Sequence, residues 1–412
     1  MKIAIIGTGI SGNTLAYLLS KHKNISLTIF ESDQRIGGHT HTHEIMIDGQ
    51  KINVDTGFIV FNKKTYPLFT KLLKFLKVKI EKSNMSFSVF SPKRNFEYNG
   101  TSFDSLFSQR KNIFNIRFIK MLFEILRFNK QSIKILGQKK EISLGSYLKG
   151  NNYSNYFIHN YILPMGAAIW SSDIKTMLEF PALFFIRFFH NHGMLSVNKR
   201  PQWYTISDGS NSYLTKLIKP FKKSIRLNSR IKKVIRQNNK IKIQSNFGNE
   251  IFDYIFFACH SDQALSLLDK PTSDEISILR AIPYKQNKVV LHTDTSVMPK
   301  NKKTWAAWNY NIDNTSETPI KLTYYMNTLQ NLKTKTPVLV SLNNYDIDKK
   351  KIIKKINYTH PHYSLKSIEA QKNIDKISGH NRTYYLGAYW GNGFHEDGVK
   401  SAYKAYEKFI RR

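Results

Sequence analysis

Three glycines and one acid near the N-terminus have the spacing of a phosphate cradle. Gly7, Gly9 and Gly12 stand in the run Gly7-Thr8-Gly9-Ile10-Ser11-Gly12, and Glu31 follows nineteen residues after Gly12. Gly7 permits a tight turn, Gly9 lets the backbone approach a pyrophosphate, and Gly12 lets a helix pack close to a sheet. The N-terminus of a helix that starts at Ile10-Ser11 faces the phosphate charge. A carboxylate placed at Glu31 can accept hydrogen bonds from a ribose diol. The chemistry implied is dinucleotide binding. Neither paired carboxylates nor a nucleophile triad occurs, which suits redox chemistry carried by a bound cofactor.

Other residue types that could do chemistry are less specific. His39, His41 and His43 alternate as they would on one face of a strand, but no acid or further histidine cluster accompanies them, so no metal site is expected. His190 and His192 form a second pair without an acid, and ordinary packing is expected there. The single cysteine, Cys259, sits in an apolar run and reads as a small core residue. It also excludes an internal disulfide and any multi-cysteine metal site.

The elements that must position the cradle are legible around it. Ile3-Ala4-Ile5-Ile6 suits a buried parallel strand, Leu15, Leu18 and Leu19 mark a helix, and Leu27-Thr28-Ile29-Phe30 is a second strand ending at Glu31. Because Ile3–Ile6 is needed as that first strand, the apolar start is not expected to be a cleaved leader. Further on, residues 66–78 read as a helix, and Ser86–Phe90 with Asn95–Tyr98 as a hairpin that opens a second domain. Residues 111–135 form a long helix. Phe114, Phe118, Met121, Leu122, Ile125 and Phe128 lie on one face, and Arg117, Lys120, Glu124 and Arg127 on another. Ile116, Ile119, Phe123 and Leu126 widen the apolar side. The expectation is a helix buried on two sides; the alternative is a basic amphipathic helix lying on a membrane. Residues 156–204 are aromatic and poor in acids, as a pocket for an apolar ligand would be. Ile241–Ile243 and Ile251-Phe252 make a hairpin, Tyr254–His260 a buried strand, and Val289–His292, Ile320–Tyr325 and Val338–Leu342 strands of a second sheet.

Composition sets bounds. The chain has 412 residues, 41% of them hydrophobic, enough for one large composite unit or two domains. No run approaches the ~18 to 20 apolar residues that a spanning helix needs. Lys and Arg number 63 against 29 Asp and Glu, a formal charge of +34. A field of that sign attracts anions. No nucleic-acid module is present, so nucleic acid is not expected as a partner; the expected partner is an anionic membrane surface, with compositional bias as the plain alternative. The cysteine count fits a reducing compartment, and the expected location is cytoplasmic, peripheral at the inner membrane face.

After Glu31 the chain reads Ser32-Asp33-Gln34-Arg35-Ile36-Gly37-Gly38-His39. Acid, arginine and a glycine pair in this order resemble the FAD signature of the flavin amine oxidase superfamily. In that superfamily the glycine pair runs beside the pyrophosphate and ribityl chain. The resemblance continues at Val54–Phe61, which would pass the flavin ring with Gly57 allowing close approach and Phe58 beside it. It extends to Ser207–Ser210 as a turn before a helix, and to Ile231 as the adenine contact. At Gly387–Gly398 it implies a terminal FAD motif that includes Gly387, Glu396, Asp397 and Val399 and points a helix N-terminus at the flavin. Lys288 matches the place of a lysine that binds water near flavin N5 in monoamine and polyamine oxidases. Three departures stand out. His39 replaces the usual arginine and matches UDP-galactopyranose mutases instead, Ala388 replaces a usual glutamate, and no cysteine is placed to link the flavin. Over residues 1–405 the chain resembles a bacterial subgroup of amine-oxidase-like proteins, and a similar flavin region is fused to plant cyclopropane fatty acid synthases.

The resemblance implies an α/β fold with a Rossmann-like FAD-binding domain (1–80, 205–265 and 379–412) and an interleaved α+β substrate domain (81–204 and 266–378). It implies non-covalent FAD and an oxidoreductase that passes hydride from a substrate C–H to flavin N5. Tyr389 and Trp390 are expected to form an aromatic wall facing the flavin. The expected substrate is an apolar acyl lipid. The alternatives are a small amine, a non-redox mutase reaction, and a flavin-holding module without turnover.

Overall fold

The apolar runs at the N-terminus and at Tyr254–Phe257 are buried on both faces because they lie next to each other in one parallel sheet. In the computed structural model, which describes residues 1–138, 141–196, 200–237, 239–313 and 320–412, five strands line up in the order Ile225–Arg226, Ser26–Phe30, Lys2–Ile6, Tyr254–Phe257 and Thr383–Tyr385. Side chains alternate across this sheet, so its two faces see different partners. Ile3, Ile5, Ile29 and Phe256 pack with Leu15, Leu19, Ala402 and Phe409 of the helices Ile10–Leu19 and His395–Ile410. Ala4, Ile6, Ile255 and Phe257 pack with Val234, Ile241 and Leu279, beneath the three-stranded meander 231–252 and the helix Ser273–Arg280.

A second sheet of seven strands runs in the order Ile352–Pro361, Tyr284–His292, Leu339–Leu342, Lys321–Tyr325, Trp308–Asn311, Phe87–Ser91 and Phe96–Asn99. It shares a core with the helices of 116–191. The anticipated hairpins at 87–99 and 240–252 are present. The strand Thr383–Tyr385 gives way to a short 3-10 turn over Ala388–Trp390. Of the three histidines expected on one strand, only His43 lies within the strand Thr42–Ile47; His39 and His41 precede it, and the rings of His41 and His43 stand 4.0 Å apart.

The long helix spans Ile116–Gln131 and is capped by Asn115, whose side chain accepts from the N–H of Arg117 and Phe118. Phe118, Met121 and Phe128 are fully buried against the second core. Burial on two sides is not what the fold provides, because Ile116 is 84% and Phe123 67% exposed. No helix among the described residues is long and apolar enough to cross a membrane.

One buried ion pair ties the meander to the sheet edge. Arg236 donates to both oxygens of Glu275 at 2.6 and 2.9 Å, and the Tyr385 hydroxyl donates to the same carboxylate at 2.6 Å. Burial alone would raise the Glu275 carboxyl; Arg236 and Tyr385 hold it below its usual range instead. Removing one member of such a pair leaves the other charge desolvated and unmatched. Glu275→Ala is expected to cost about 3 kcal/mol or more, read as a lower midpoint in urea unfolding, with Glu275→Gln closer to the parent.

Candidate functional site

The C-terminal edge of the parallel sheet gathers four chain segments. The Gly7 N–H donates to Phe30 O at 2.8 Å, and the helix Ile10–Leu19 begins at Gly9. A Cβ on Gly12 would lie 2.1 Å from the Gly7 carbonyl oxygen, whereas one on Gly9 would meet nothing within 4 Å. Glu31 accepts from the N–H of Thr8 and of Asp33, each at 3.0 Å, so its carboxylate stiffens the glycine turn it faces. The Ser229 N–H donates to Glu31 O at 2.7 Å, which brings Ile231, first residue of the strand Ile231–Gln237, to the same edge. Arg35 does not project outward. Its guanidinium donates to Gly38 O at 2.6 Å and Thr40 O at 3.2 Å, folding the Gly37-Gly38 loop back until a Cβ on Gly38 would stand 3.2 Å from the Gly9 Cα.

The terminal motif closes over this cradle. Gly398 lets the helix His395–Ile410 cross the first helix; a Cβ there would be 2.6 Å from Ile10 and 3.0 Å from the Ser11 hydroxyl. Val399 is fully buried behind it. The Glu396 carboxylate accepts from the N–H of Leu68 and Phe69 at 3.0 and 2.9 Å, so it caps the helix Pro67–Phe75. Asp397 accepts from the Phe394 N–H at 3.1 Å and lies against Gly391, and burial pushes its carboxyl up to about 6. This acid occupies the helix N-terminus that the resemblance assigns to the flavin. The Tyr389 ring packs on Gly387, where a Cβ would be 2.3 Å from it, and lies 4.9 Å from the Trp390 ring. The Tyr389 hydroxyl and Trp390 Nε1 are buried without a protein partner.

Tertiary structure adds residues that sequence reasoning missed. The strand Ile352–Pro361 pairs with Tyr284–His292 so that Tyr358 and His360 come beside His39, at 5.0 and 5.1 Å between ring centroids. His260 stacks on Tyr284 at 4.2 Å, and Tyr284 reaches Tyr389 at 6.3 Å. Loss of solvent holds His39 down to about 4, reinforced by His260 and Arg35; it holds His260 down to about 4 and His360 to about 3. Neutral imidazoles therefore line this side, and His39 Nε2 is buried without a partner. The alternation Tyr358-Thr359-His360 was the available signal.

Asp55, also missed, is fully buried and ties three segments together through Ser210 N (3.0 Å), Ser210 Oγ (2.7 Å), Thr42 Oγ1 (2.5 Å) and Gln330 Nε2 (2.9 Å). Next to it, Gly57 crosses the His39 carbonyl so closely that a Cβ would be 2.2 Å away, and Phe58 stacks on His395 at 3.6 Å.

The aromatic stretch reaches the site through its buried helices. Trp170 donates to Asn392 O at 3.3 Å, Phe188 stacks on Phe394 at 5.1 Å, and Phe184 lies 5.2 Å from Tyr363. Residues 197–199 of that stretch lie outside the described residues. His190 is exposed, and His192 stacks on Phe188 at 3.8 Å. Burial pushes the Cys259 thiol up to about 12. Among the described residues no group of three His, Cys, Asp or Glu is placed to share a metal. Lys288 stands away from all of this. It is exposed, between the buried Asn287 and Val289, with its ammonium 5.4 Å from the Tyr345 ring. The strand's pleat turns it outward.

Neutral buried histidines carry a pH signature. His39, His260 and His360 have folded values below the unfolded value of roughly 6.5. Below that pH the unfolded chain binds protons that the folded chain refuses, so stability is lost as pH falls from about 6.5 toward 4, by about 1.4 kcal/mol per pH unit for each histidine. Urea unfolding at successive pH values should show this slope, and His360→Asn should reduce it by one proton.

From residue 10 to residue 354 the sequence matches the family model of flavin-containing amine oxidoreductases. In structure, the chain is similar to an Exiguobacterium sp. 255-15 protein provisionally assigned as a protoporphyrinogen oxidase (TM-score 0.72, 14% identity, 100% of this chain and 99% of that one). It is similar to putrescine oxidase bound to putrescine (0.71, 12%, 100% of both chains). It is also similar to the CLA-producing fatty acid isomerase of P. acnes (0.68, 14%, 99% of this chain and 98% of that one). At such identities these likenesses show the fold. No curated protein matches the sequence. On the family match, this chain is a flavin-dependent oxidoreductase that uses FAD, and it belongs to the flavin-containing amine oxidoreductase family.

Proposed function

We propose that this oxidoreductase removes hydride from a C–H of an apolar acyl-lipid substrate at the cytoplasmic face of an anionic membrane. FAD, held non-covalently, supplies the hydride acceptor when bound. The residues present fit it. Gly9 leaves open backbone at a helix N-terminus where a diphosphate can approach, and His39 Nε2 and Trp390 Nε1 are buried polar atoms without protein partners, as a polar ring system needs. In this reading the segments 1–80, 205–265 and 379–412 hold the cofactor, and 81–204 and 266–378 enclose the substrate. Gly7, Gly9, Ser11 and Gly12 form the phosphate turn, with Gly37 and Gly38 held against it by Arg35. Glu31 and Ile231 flank the nucleoside, and Gly57, Phe58, His39, Gly387 and Val399 shape the ring side. Glu396 and Asp397 act by fixing the terminal helix. Tyr389 and Trp390 wall the reacting end and exclude water. Lys288 has no part in it.

The observation that carries the substrate class is the aromatic wall. Trp170, Phe184 and Phe188 meet Asn392, Tyr363 and Phe394 next to the terminal motif. Two acids near it are already engaged, Asp173 by Lys285 at 2.5 Å and Asp397 by backbone N–H. A cationic amine would find no free carboxylate in this pair and would approach against the net charge. One structural neighbour is named a fatty acid isomerase and another a putrescine oxidase, so the fold accommodates both classes.

Acid precipitation should release FAD from the yellow protein and leave a colourless pellet. Glu31→Ala is expected to weaken FAD binding by about 1.5 to 3 kcal/mol, measured by flavin fluorescence on dilution, and Gly9→Val to weaken it more. Anaerobic mixing with phospholipids should bleach the visible flavin band. Bleaching by simple amines and not by lipids would replace the substrate class with amines. A mutase, the reading suggested by His39, would give no bleaching and would turn over only with pre-reduced flavin.

A further inference from the structure

The outward face of the helix Ile116–Gln131 is apolar and basic together. Ile116, Ile119, Lys120, Phe123, Arg127 and Lys130 recur at three- and four-residue spacing on the side opposite the buried Phe118, Met121 and Phe128. Phe114 is 87% and Leu126 52% exposed beside Ile116 and Phe123, and the face forms an open groove of about 590 Å³. An apolar surface of this extent marks an interaction site. Apart from Arg127, which is held by Glu124, the Asn152 carbonyl and the Tyr153 ring, its charges are unspent. Arg117, Lys120, Lys130 and Lys134 have no ion-pair partner among the described residues. The acids nearby are committed elsewhere: Asp104 pairs with Arg110 and Lys303, and Glu124 turns inward to the Ser154 N–H at 2.8 Å and to Arg127.

We propose that this face is the docking surface for an anionic phospholipid leaflet. The aromatic and aliphatic side chains enter the acyl boundary, and the lysines and arginines extend to the headgroup phosphates. A second copy of the chain would bring the same cations face to face, whereas an anionic leaflet complements both the charge and the apolar groove. The inference rests on the reading of an anionic membrane as partner, but not on a lipid being the substrate. It also places the leaflet one helix away from the aromatic core, since Phe118 and Phe128 of the same helix pack there.

The test uses the FAD-loaded protein and co-sedimentation with vesicles of equal parts phosphatidylcholine and phosphatidylglycerol, against vesicles of phosphatidylcholine alone. Binding to the anionic vesicles should be strong at low salt and fall away near 1 M, where the Debye length shrinks to about 3 Å. Phe114→Ser and Phe123→Ser should each weaken it roughly tenfold or more, and Lys120→Glu and Lys130→Glu roughly fivefold each or more. All four positions are exposed, so the thermal midpoint and flavin spectrum should be unchanged. Equal binding to neutral vesicles, unchanged binding in the phenylalanine variants, or self-association that these variants abolish in place of vesicle binding would each overturn the proposal. Bleaching by monomeric short-chain phospholipid should be the same in wild type and variants. Vesicle binding without any bleaching would remove the lipid substrate and leave the docking surface standing.

Discussion

Backbone meets backbone at the centre of this molecule. A Cβ at Gly12 would stand 2.1 Å from the Gly7 carbonyl, one at Gly57 would stand 2.2 Å from the His39 carbonyl, and one at Gly398 would press on Ile10 and Ser11. These three crossings bring the first helix down onto the sheet edge, the segment after Asp55 onto the glycine loop, and the last helix onto the first. With a side chain at any of these three positions, the four segments that form the cradle could not share one edge. The remaining polar groups of the region follow from that closeness. Arg35 and Glu31 are consumed in holding loops, and Glu396 caps a neighbouring helix.

The same crowding explains the electrostatics. A chain with formal charge +34 packs neutral imidazoles and phenols around the cradle. Desolvation, with other positive groups nearby, disfavours the imidazolium form. The imidazoles of His39, His260 and His360 therefore face the cradle as neutral rings. The surface, in contrast, carries exposed phenylalanine and isoleucine on one helix, next to lysine without an ion-pair partner among the described residues.

Local patterns were legible where a single segment decides the outcome. The strand, glycine turn, helix and strand from Lys2 to Phe30 follow from apolar runs and turn residues within thirty positions of each other. The hairpins at 87–99 and 240–252 follow from alternation and short connections. Placement of these runs in two sheets was anticipated in outline, because a run buried on both faces belongs in a parallel sheet with helices around it.

Long-range pairing decided the rest. The register between Tyr284–His292 and Ile352–Pro361 carries Tyr358 and His360 to His39, more than three hundred residues away in sequence, and turns Lys288 to solvent. Asp55 became a hub because Thr42, Ser210 and Gln330 converge on it. On the helix Ile116–Gln131 the sequence determined an apolar side wider than one contact requires, and only the packing of the neighbours decided which part stays uncovered. Periodicity reports that a side chain prefers to leave water, but which surface receives it depends on segments that periodicity does not see.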